Sequence, residues 1–248
     1  MSSEVTLTFL GCGDAFASGG RRNSCFYVDS GATRFLVDCG ATSLVALHSH
    51  GLTSDDIDVI LITHFHGDHY GGLPFLLLDA AVQRKRERPL VLVMPEGGAE
   101  RVRELMELLY PGMSAAMDDL DLRFHSYRSR DTVEVESLRV TAYPVVHSDA
   151  ACSHGLRVNV ADRIIGFSGD TAWTDELINI GSGTDLMICE CNFLETQTPN
   201  HLDYRTLEQK LPEIGATRII LNHLGNEMLA NLDQVNLPCA EDGMTVTV

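Results

Sequence analysis

A dense cluster of metal-binding residue types follows the apolar segment 59–63. The cluster reads His64-Phe65-His66-Gly67-Asp68-His69. The apolar run predicts a buried strand, and side chains two apart on extended backbone point the same way, so His64 and His66 should face one point. A glycine turn then lets Asp68 and His69 face a neighbouring point. The pattern predicts two metal ions a few ångströms apart and disfavours a histidine-rich surface loop.

Three further apolar strands each end in a residue that can bind metal. These residues are His147, Asp170 and His223. Taken alone, each is more typical of a capping or turn residue than of a ligand. Together with the first cluster they give five imidazoles and two carboxylates. That donor set suits two open sites for divalent ions, Zn²⁺ first and Mn²⁺ as the alternative.

The order of predicted elements favours an α/β fold in which each half of the chain forms a sheet covered by helices. Strand patterns occur at 5–10, 24–28, 34–38, 59–63, 90–93, 122–125, 138–145, 155–160, 164–168, 186–190 and 218–222, and helix patterns at 43–49, 74–87, 100–109 and 204–211. No linker or repeat interrupts this order. We therefore predict one domain, residues 1–248, with a four-layer αββα sandwich and the metal site between the edges of the two sheets.

The charge balance limits the partners. The chain has 18 Lys and Arg against 35 Asp and Glu, a formal net charge of −17. Nucleic acid binding depends on basic residues that neutralise phosphates, so a nucleic acid partner is not expected. The basic cluster 84–88 closes a predicted helix, where cations suit the helix dipole, and is interpreted as a solvated helix end. These features favour a small-molecule substrate.

Compartment and assembly are weakly constrained. No apolar stretch approaches the roughly 20 residues that a membrane helix needs. The first residues lack the basic and apolar regions of a secretory signal, and seven irregularly spaced cysteines do not suggest a disulfide framework. We predict a cytoplasmic protein without a membrane partner. A homodimer through edge strands or the helix 100–109 is left open.

These motifs, in this order, resemble those of the metallo-β-lactamase-fold hydrolases over essentially the whole chain. Four segments resemble the ribonuclease Z-like phosphodiesterases: Leu7–Gly13, Val37–Gly40, Phe167–Thr171 and Asn222–Gly225. Two more, 200–203 and 241–246, resemble the phosphoribosyl cyclic phosphodiesterase of phosphonate breakdown. Such a scaffold carries many chemistries, so the resemblance constrains the fold and the metal site more than the substrate.

The resemblance also implies a role for each candidate site residue. One ion would be held by His64, His66 and His147. The other would be held by Asp68, His69 and His223, with Asp170 between the two ions. Catalytic roles would fall to Asp68, Glu190 and His201, since this branch has an acidic residue at the end of the strand after the bridging aspartate and a histidine soon after it.

Two sequence differences from these relatives narrow the range of expected substrates. The tRNA 3′-processing endonucleases insert a long arm between the positions of His147 and Asp170, where this chain has only 22 residues. The phosphonate-pathway enzyme has a cysteine-rich zinc insert near its start, where the loop 14–23 contains no cysteine. The chain is therefore a relative of both groups, and tRNA is not the expected substrate.

The predicted function is that of a dinuclear metal-dependent hydrolase, in the first place a phosphodiesterase for a small or cyclic phosphodiester. Two ions sharing a water would give a bridging hydroxide nucleophile. His201, oriented by Glu190, would protonate the leaving alkoxide. The alternatives are an ester, thioester or lactone hydrolase and a tRNA-processing relative. A β-lactamase is disfavoured by the missing export signal, and a non-catalytic metal module by the open, cysteine-free ligand set.

Five further residues are ambiguous at this stage. They are Cys12, Arg21, Arg22, His154 and Trp173. Each could lie near the mouth of the site, the two arginines as phosphate anchors. Packing is an equal or better explanation for Cys12, His154 and Trp173.

Overall fold

The computed structural model describes residues 4–248 and contains two β-sheets packed face to face. The first sheet has seven strands in the order β13 (Thr245–Thr247), β1 (Thr6–Gly11), β2 (Cys25–Asp29), β3 (Arg34–Val37), β4 (Val59–Leu61), β5 (Leu90–Pro95) and β6 (Leu122–Tyr127). The second has six in the order β12 (Ile219–Asn222), β11 (Leu186–Glu190), β10 (Arg163–Phe167), β9 (His154–Val160), β8 (Leu138–Pro144) and β7 (Thr132–Val135). Each sheet is mixed, and the parallel pairs determine where the site lies.

Helices cover both outer faces. They are α1 (Ser43–Ser49), α2 (Gly67–Tyr70), α3 (Leu73–Leu78), α4 (Gly98–Leu109), α5 (Glu176–Gly181), α6 (Tyr204–Ile214) and α7 (Asn226–Leu229). Apolar residues of α1, α3 and α4 pack on the first sheet. Those of α5, α6 and α7 pack on the second sheet. The predicted four-layer αββα architecture is therefore confirmed.

One apolar cluster fills the space between the sheets. Leu7 and Phe9 of β1 point into it, as alternate strand residues should. The Phe26 ring lies 5.6 Å from the rings of both Phe9 and Phe167, and so links the first sheet to the second. Burying a side chain of this size stabilises the fold by about 1.5–3 kcal/mol. This core fixes the spacing of the two sheet edges that carry the site.

The parallel strands direct their carboxyl ends to the site. Strands β3, β4, β5 and β6 are parallel neighbours, as are β10, β11 and β12. In the second group Glu190 lies opposite Asn222 in the register. Because parallel strands end at the same edge, the residues that follow them are brought together.

The prediction of a helix over residues 74–87 is wrong for the second half of that range. The α-helix ends at Leu78, continues as a π-helical turn over Asp79–Arg84 and stops at Lys85, whose φ is 53°. Arg86 is buried and donates to the carbonyls of Ser54, Ile57 and Pro89 at 2.6–2.7 Å. This member of the basic cluster is therefore a structural residue, and its interpretation as part of a solvated helix end is wrong.

Five short elements were not predicted, namely the edge strands β7 and β13 and the helices α2, α5 and α7. Edge strands gain their pairing from one side only, so their sequences need little apolar character. Among residues 4–248, the structure contains no helix with the length and apolar character to cross a membrane. The single-domain organisation of residues 1–248 stays a prediction.

Candidate metal centre

All seven predicted ligands converge in two adjacent clusters. Within each cluster the possible ligand atoms lie within 4.8 Å of one another. The first cluster consists of His64, His66 and His147. The second consists of Asp68, His69, Asp170 and His223. The residues come from the ends of four separate strands, so the fold, and not local sequence alone, assembles this group.

The first cluster contains only imidazoles. The ring centroid of His64 lies 4.8 Å from that of His66 and 5.2 Å from that of His147. His66 Nδ1 and His147 Nε2 are 3.0 Å apart. Burial lowers the pKa of His64 well below its ordinary value, so this imidazole stays neutral and keeps a lone pair for a metal ion.

The second cluster adds two carboxylates. His69 Nε2 lies 3.3 Å from Asp68 Oδ2 and 3.3 Å from Asp170 Oδ1. His223 Nε2 lies 3.3 Å from Oδ2 of each of the same two aspartates. Burial favours the neutral form of Asp170, but the imidazoles of His223 and His69 hold its pKa well below the usual range. Its carboxylate is therefore ionised.

Asp170 belongs to the second cluster and also faces the first. Its Oδ2 is 3.7 Å from His147 Nε2 and 3.9 Å from His64 Nε2. The buried Nε2 atoms of His64 and His69 have no hydrogen-bond partner among the described residues. Unpartnered ring nitrogens that face ionised carboxylates in a buried site are costly unless a cation lies among them. These clusters can bind metal, and their nitrogen and oxygen donors fit divalent ions.

Asp38 supports the site and was missed as a functional residue by the sequence analysis. It follows β3 with a φ of 60°, and its Oδ2 accepts a hydrogen bond from His69 Nδ1 at 2.7 Å. The Thr63 backbone N–H donates to Asp38 Oδ1 at 2.8 Å. Such a carboxylate fixes the imidazole tautomer and leaves Nε2 free for a metal ion. The signal was present, because Asp38 also follows an apolar strand.

Backbone contacts fix two more of the histidines. His147 Nδ1 donates to the Asn200 carbonyl at 2.7 Å. His223 has a φ of 59°, and its carbonyl accepts from the Asn192 side chain at 3.0 Å. Gly40 is required next to Asp68, because an added Cβ would lie 2.2 Å from the Asp68 carbonyl oxygen. The turn after β3 thus packs directly against the ligand loop.

Glu190 and His201 lie together at the edge of the clusters. His201 Nδ1 is 2.9 Å from Glu190 Oε1. Glu190 is buried, whereas the His201 side chain is 20% exposed and its ring centroid lies 4.7 Å from that of His147. Burial alone would lower the pKa of His201, but Glu190 raises it above the ordinary value. Glu190 therefore favours the protonated form of this imidazole, whose side chain remains partly exposed to solvent.

The ambiguous residues make structural contacts. The thiol of Cys12 donates to Asp242 at 3.2 Å, and Arg21 donates to the Ala240 carbonyl. His154 is buried and its Nδ1 donates to the Cys152 carbonyl at 2.7 Å. Trp173 packs in the apolar cluster beneath α6, with Lys210 Nζ 5.4 Å from its ring centroid. Arg22 donates from Nη1 to the Leu10 carbonyl at 3.5 Å. None of the five belongs to the metal-ligand clusters found among residues 4–248.

Known proteins share the fold and the sequence pattern. A ribonuclease Z of Methanothermobacter thermautotrophicus is 27% identical in an alignment of 304 positions, gaps included. The alignment covers 98% of this chain and 97% of that protein. The crystal structure of the metallo-β-lactamase-fold protein YhfI from Bacillus subtilis has a TM-score of 0.81 at 19% identity and covers 99% of this chain and 100% of that one. The predicted metallo-β-lactamase fold is thereby confirmed.

A further relative and the matching family model agree on one family. The anti-Pycsar protein Apyc1 of Bacillus phage 010DV004 is 30% identical over 243 residues, 92% of each chain. The sequence model of the family described as anti-Pycsar protein Apyc1 matches residues 5–237. Homologues of the chain are metal-dependent phosphodiesterases or hydrolases, which confirms the predicted enzyme class. The chain is a metal-dependent hydrolase that belongs to the anti-Pycsar protein Apyc1 family.

Proposed function

We propose that this protein hydrolyses a small or cyclic phosphodiester with the help of two divalent ions, Zn²⁺ or, as the alternative, Mn²⁺. The observation that carries the proposal is the position of Asp170, which belongs to the second cluster and also faces the histidines of the first. The Glu190–His201 pair lies at the edge of the clusters. The first ion would be held by His64, His66 and His147. The second would be held by Asp68, His69 and His223, and Asp170 would bind both.

The proposed reaction needs an activated water, oriented metal ligands and a proton donor. Two bound ions would lower the pKa of a shared water towards neutrality and offset the negative charge that grows on the phosphoryl oxygens. Asp38 and Asn200 would hold His69 and His147 in the tautomers that leave Nε2 free. The remaining step is proton delivery to the leaving alkoxide, which is a poor leaving group unless protonated.

His201 is the proposed proton donor. Its Nδ1 is hydrogen-bonded to Glu190, so its Nε2 would be available to donate a proton to the leaving oxygen. The hydrogen bond from Nδ1 to Glu190 favours the imidazolium form, although burial raises the pKa of Glu190, and it fixes the ring orientation. A positioned general acid of this kind typically contributes about 10²–10⁴ in rate.

The short connection between His147 and Asp170 supports a small substrate. The 22 residues between them contain only the hairpin of β9 and β10 and its adjoining turns. The formal net charge of −17 disfavours a polyanion, which would be repelled over most of the surface. Ribonuclease Z relatives support phosphoric diesters as the class of bond, and the family match supports a substrate other than tRNA.

The test compares substrate classes on one metal-reconstituted preparation. Purine and pyrimidine 3′,5′-cyclic nucleotides and bis-p-nitrophenyl phosphate should be hydrolysed, with the highest kcat/KM on a cyclic nucleotide. Asp170→Asn should abolish this turnover, whereas His48→Ala, at an exposed histidine of α1, should leave it unchanged. Faster hydrolysis of a lactone, a thioester or a precursor tRNA would contradict the proposed substrate class.

A further inference from the structure

We propose that Asp242 is a positioning residue that holds His223 in its metal-binding conformation through the backbone of Cys12. Asp242 is not one of the ligands in either cluster. It lies in the segment 238–243, which follows β12 and α7 along the chain and leads into β13 of the first sheet. The inference rests on the proposed two-ion site, and its test separates the two.

The Asp242 carboxylate ties together two parts of the loop that follows β1. Its Oδ1 accepts from the Cys12 backbone N–H at 3.0 Å and from the Cys12 thiol at 3.2 Å. Its Oδ2 accepts from the Arg22 backbone N–H at 2.9 Å. Burial and the nearby Asp242 charge raise the pKa of the Cys12 thiol to about 12, so the thiol remains a donor. One side chain thus fixes the position of the Cys12 peptide.

The Cys12 peptide in turn holds His223. The Cys12 carbonyl accepts from the His223 backbone N–H at 3.2 Å. His223 has a φ of 59°, a left-handed conformation that non-glycine residues adopt only when their surroundings hold them there. The Asn192 side chain donates to the carbonyl of the same residue at 3.0 Å. Both backbone groups of His223 are therefore anchored, one of them through Cys12.

The segment that carries Asp242 is itself fixed to β12 and β1. The Leu221 N–H donates to the Pro238 carbonyl, and the Ala240 N–H donates to the Leu221 carbonyl, both at 2.8 Å. The Gly243 N–H donates to the Phe9 carbonyl at 2.7 Å. Asp242 is thus placed by the same strand that leads into His223. Loss of its carboxylate would free the Cys12 loop while this frame remained.

The test measures metal affinity and metal-dependent stability. Asp242→Ala should bind one of the two ions about tenfold more weakly, the lower end of the range for residues that orient ligands, because Asp242 acts through one more contact. Asp242→Asn keeps one acceptor and should lose less. The control is Glu241→Ala, at an exposed neighbour. This variant should bind two ions as the wild type does.

Thermal unfolding in EDTA and after metal reconstitution separates positioning from a merely structural role. The proposal expects the rise in Tm on adding metal to shrink in both Asp242 variants. An equal rise and unchanged affinities, with only the metal-free Tm lowered, would overturn it. If Asp242→Ala fails to fold, Asp242→Asn decides in the same way. Failure of the wild type to bind two ions would instead refute the proposed function.

Discussion

Replacing His201 by alanine should slow hydrolysis only where the leaving group needs a proton. An alkyl phosphodiester releases an alkoxide, which must be protonated as it departs. A p-nitrophenyl ester releases a phenolate that is stable at neutral pH. His201 Nδ1 is hydrogen-bonded to Glu190 at 2.9 Å, and the pKa of His201 is raised. We therefore expect His201 to supply the proton to the alkoxide and to be dispensable for release of the phenolate.

The size of the effect follows from the position of His201. A general acid contributes about 10²–10⁴ in rate, or roughly 3–5 kcal/mol of activation free energy. The His201 side chain is 20% exposed, so water can partly replace it. We therefore expect a loss of about 10²–10³ in kcat with a cyclic nucleotide, and a change of less than about threefold with bis-p-nitrophenyl phosphate.

The assay is steady-state kinetics on both substrates with the metal content measured for every preparation. His125→Ala, at an exposed residue of β6, is the matched control and should retain wild-type kcat on both. Equal losses of His201→Ala on the two substrates would refute the assignment of His201 as general acid. Loss of bound metal in this variant would indicate instead that His201 is a ligand, as its closeness to His147 and Asp170 would permit.

Three further predictions concern Asp38, Glu190 and Phe167. Asp38→Asn removes the charge that orients His69 and should weaken metal binding about 10–100-fold in a chelator titration; unchanged affinity would contradict that role. Because Glu190 raises the pKa of His201 above 6.5, kcat on alkyl esters should fall as pH rises through that raised pKa. In Glu190→Gln this fall should move to lower pH, and an unmoved profile would contradict the pairing. Phe167→Ala opens a cavity between the sheets and should cost about 3–5 kcal/mol in denaturant unfolding of the metal-free protein; a loss below about 1 kcal/mol would show that the core collapses around the gap.

The convergence of the candidate ligands could be predicted because one local rule covers most of them. His223 directly follows β12 and His147 lies shortly after β8, and strands that run in the same direction bring their ends to one edge. Asp38 obeys the same rule after β3. It was noticed only as part of a family motif, because a single aspartate before Cys39-Gly40 is also typical of an ordinary turn. The rule identifies the edge but does not separate ligands from the residues that orient them.

The supporting contacts of His223 could not be predicted from sequence. Asn192 contacts His223 directly, whereas Asp242 contacts Cys12, which in turn contacts His223, and Asp242 is 230 residues away from Cys12 along the chain. These hydrogen bonds exist only after the segment 238–243 has crossed from one sheet to the other. No periodicity or spacing encodes such a crossing, so only the three-dimensional arrangement reveals it.

The elements that were missed share a physical cause. Strand β13 contains three residues of which two are exposed, and β7 lies at the opposite edge of the other sheet. Their pairing partners, more than their own side chains, define them as strands. The π-helical turn at Asp79–Arg84 interrupts a run that has good helical composition, and the buried Arg86 that follows it takes its partners from distant loops. Local propensity predicts neither the pairing of the edge strands nor the distant partners of Arg86.

The most direct test of the central claim is a crystal structure of the metal-reconstituted protein with anomalous scattering recorded at the absorption edge of the metal. The account predicts two ions per chain, with Asp170 in contact with both and the ring nitrogens of His64 and His69 bound to different ions. A single ion, ions bound elsewhere, or an occupied site without Asp170 among its ligands would contradict it.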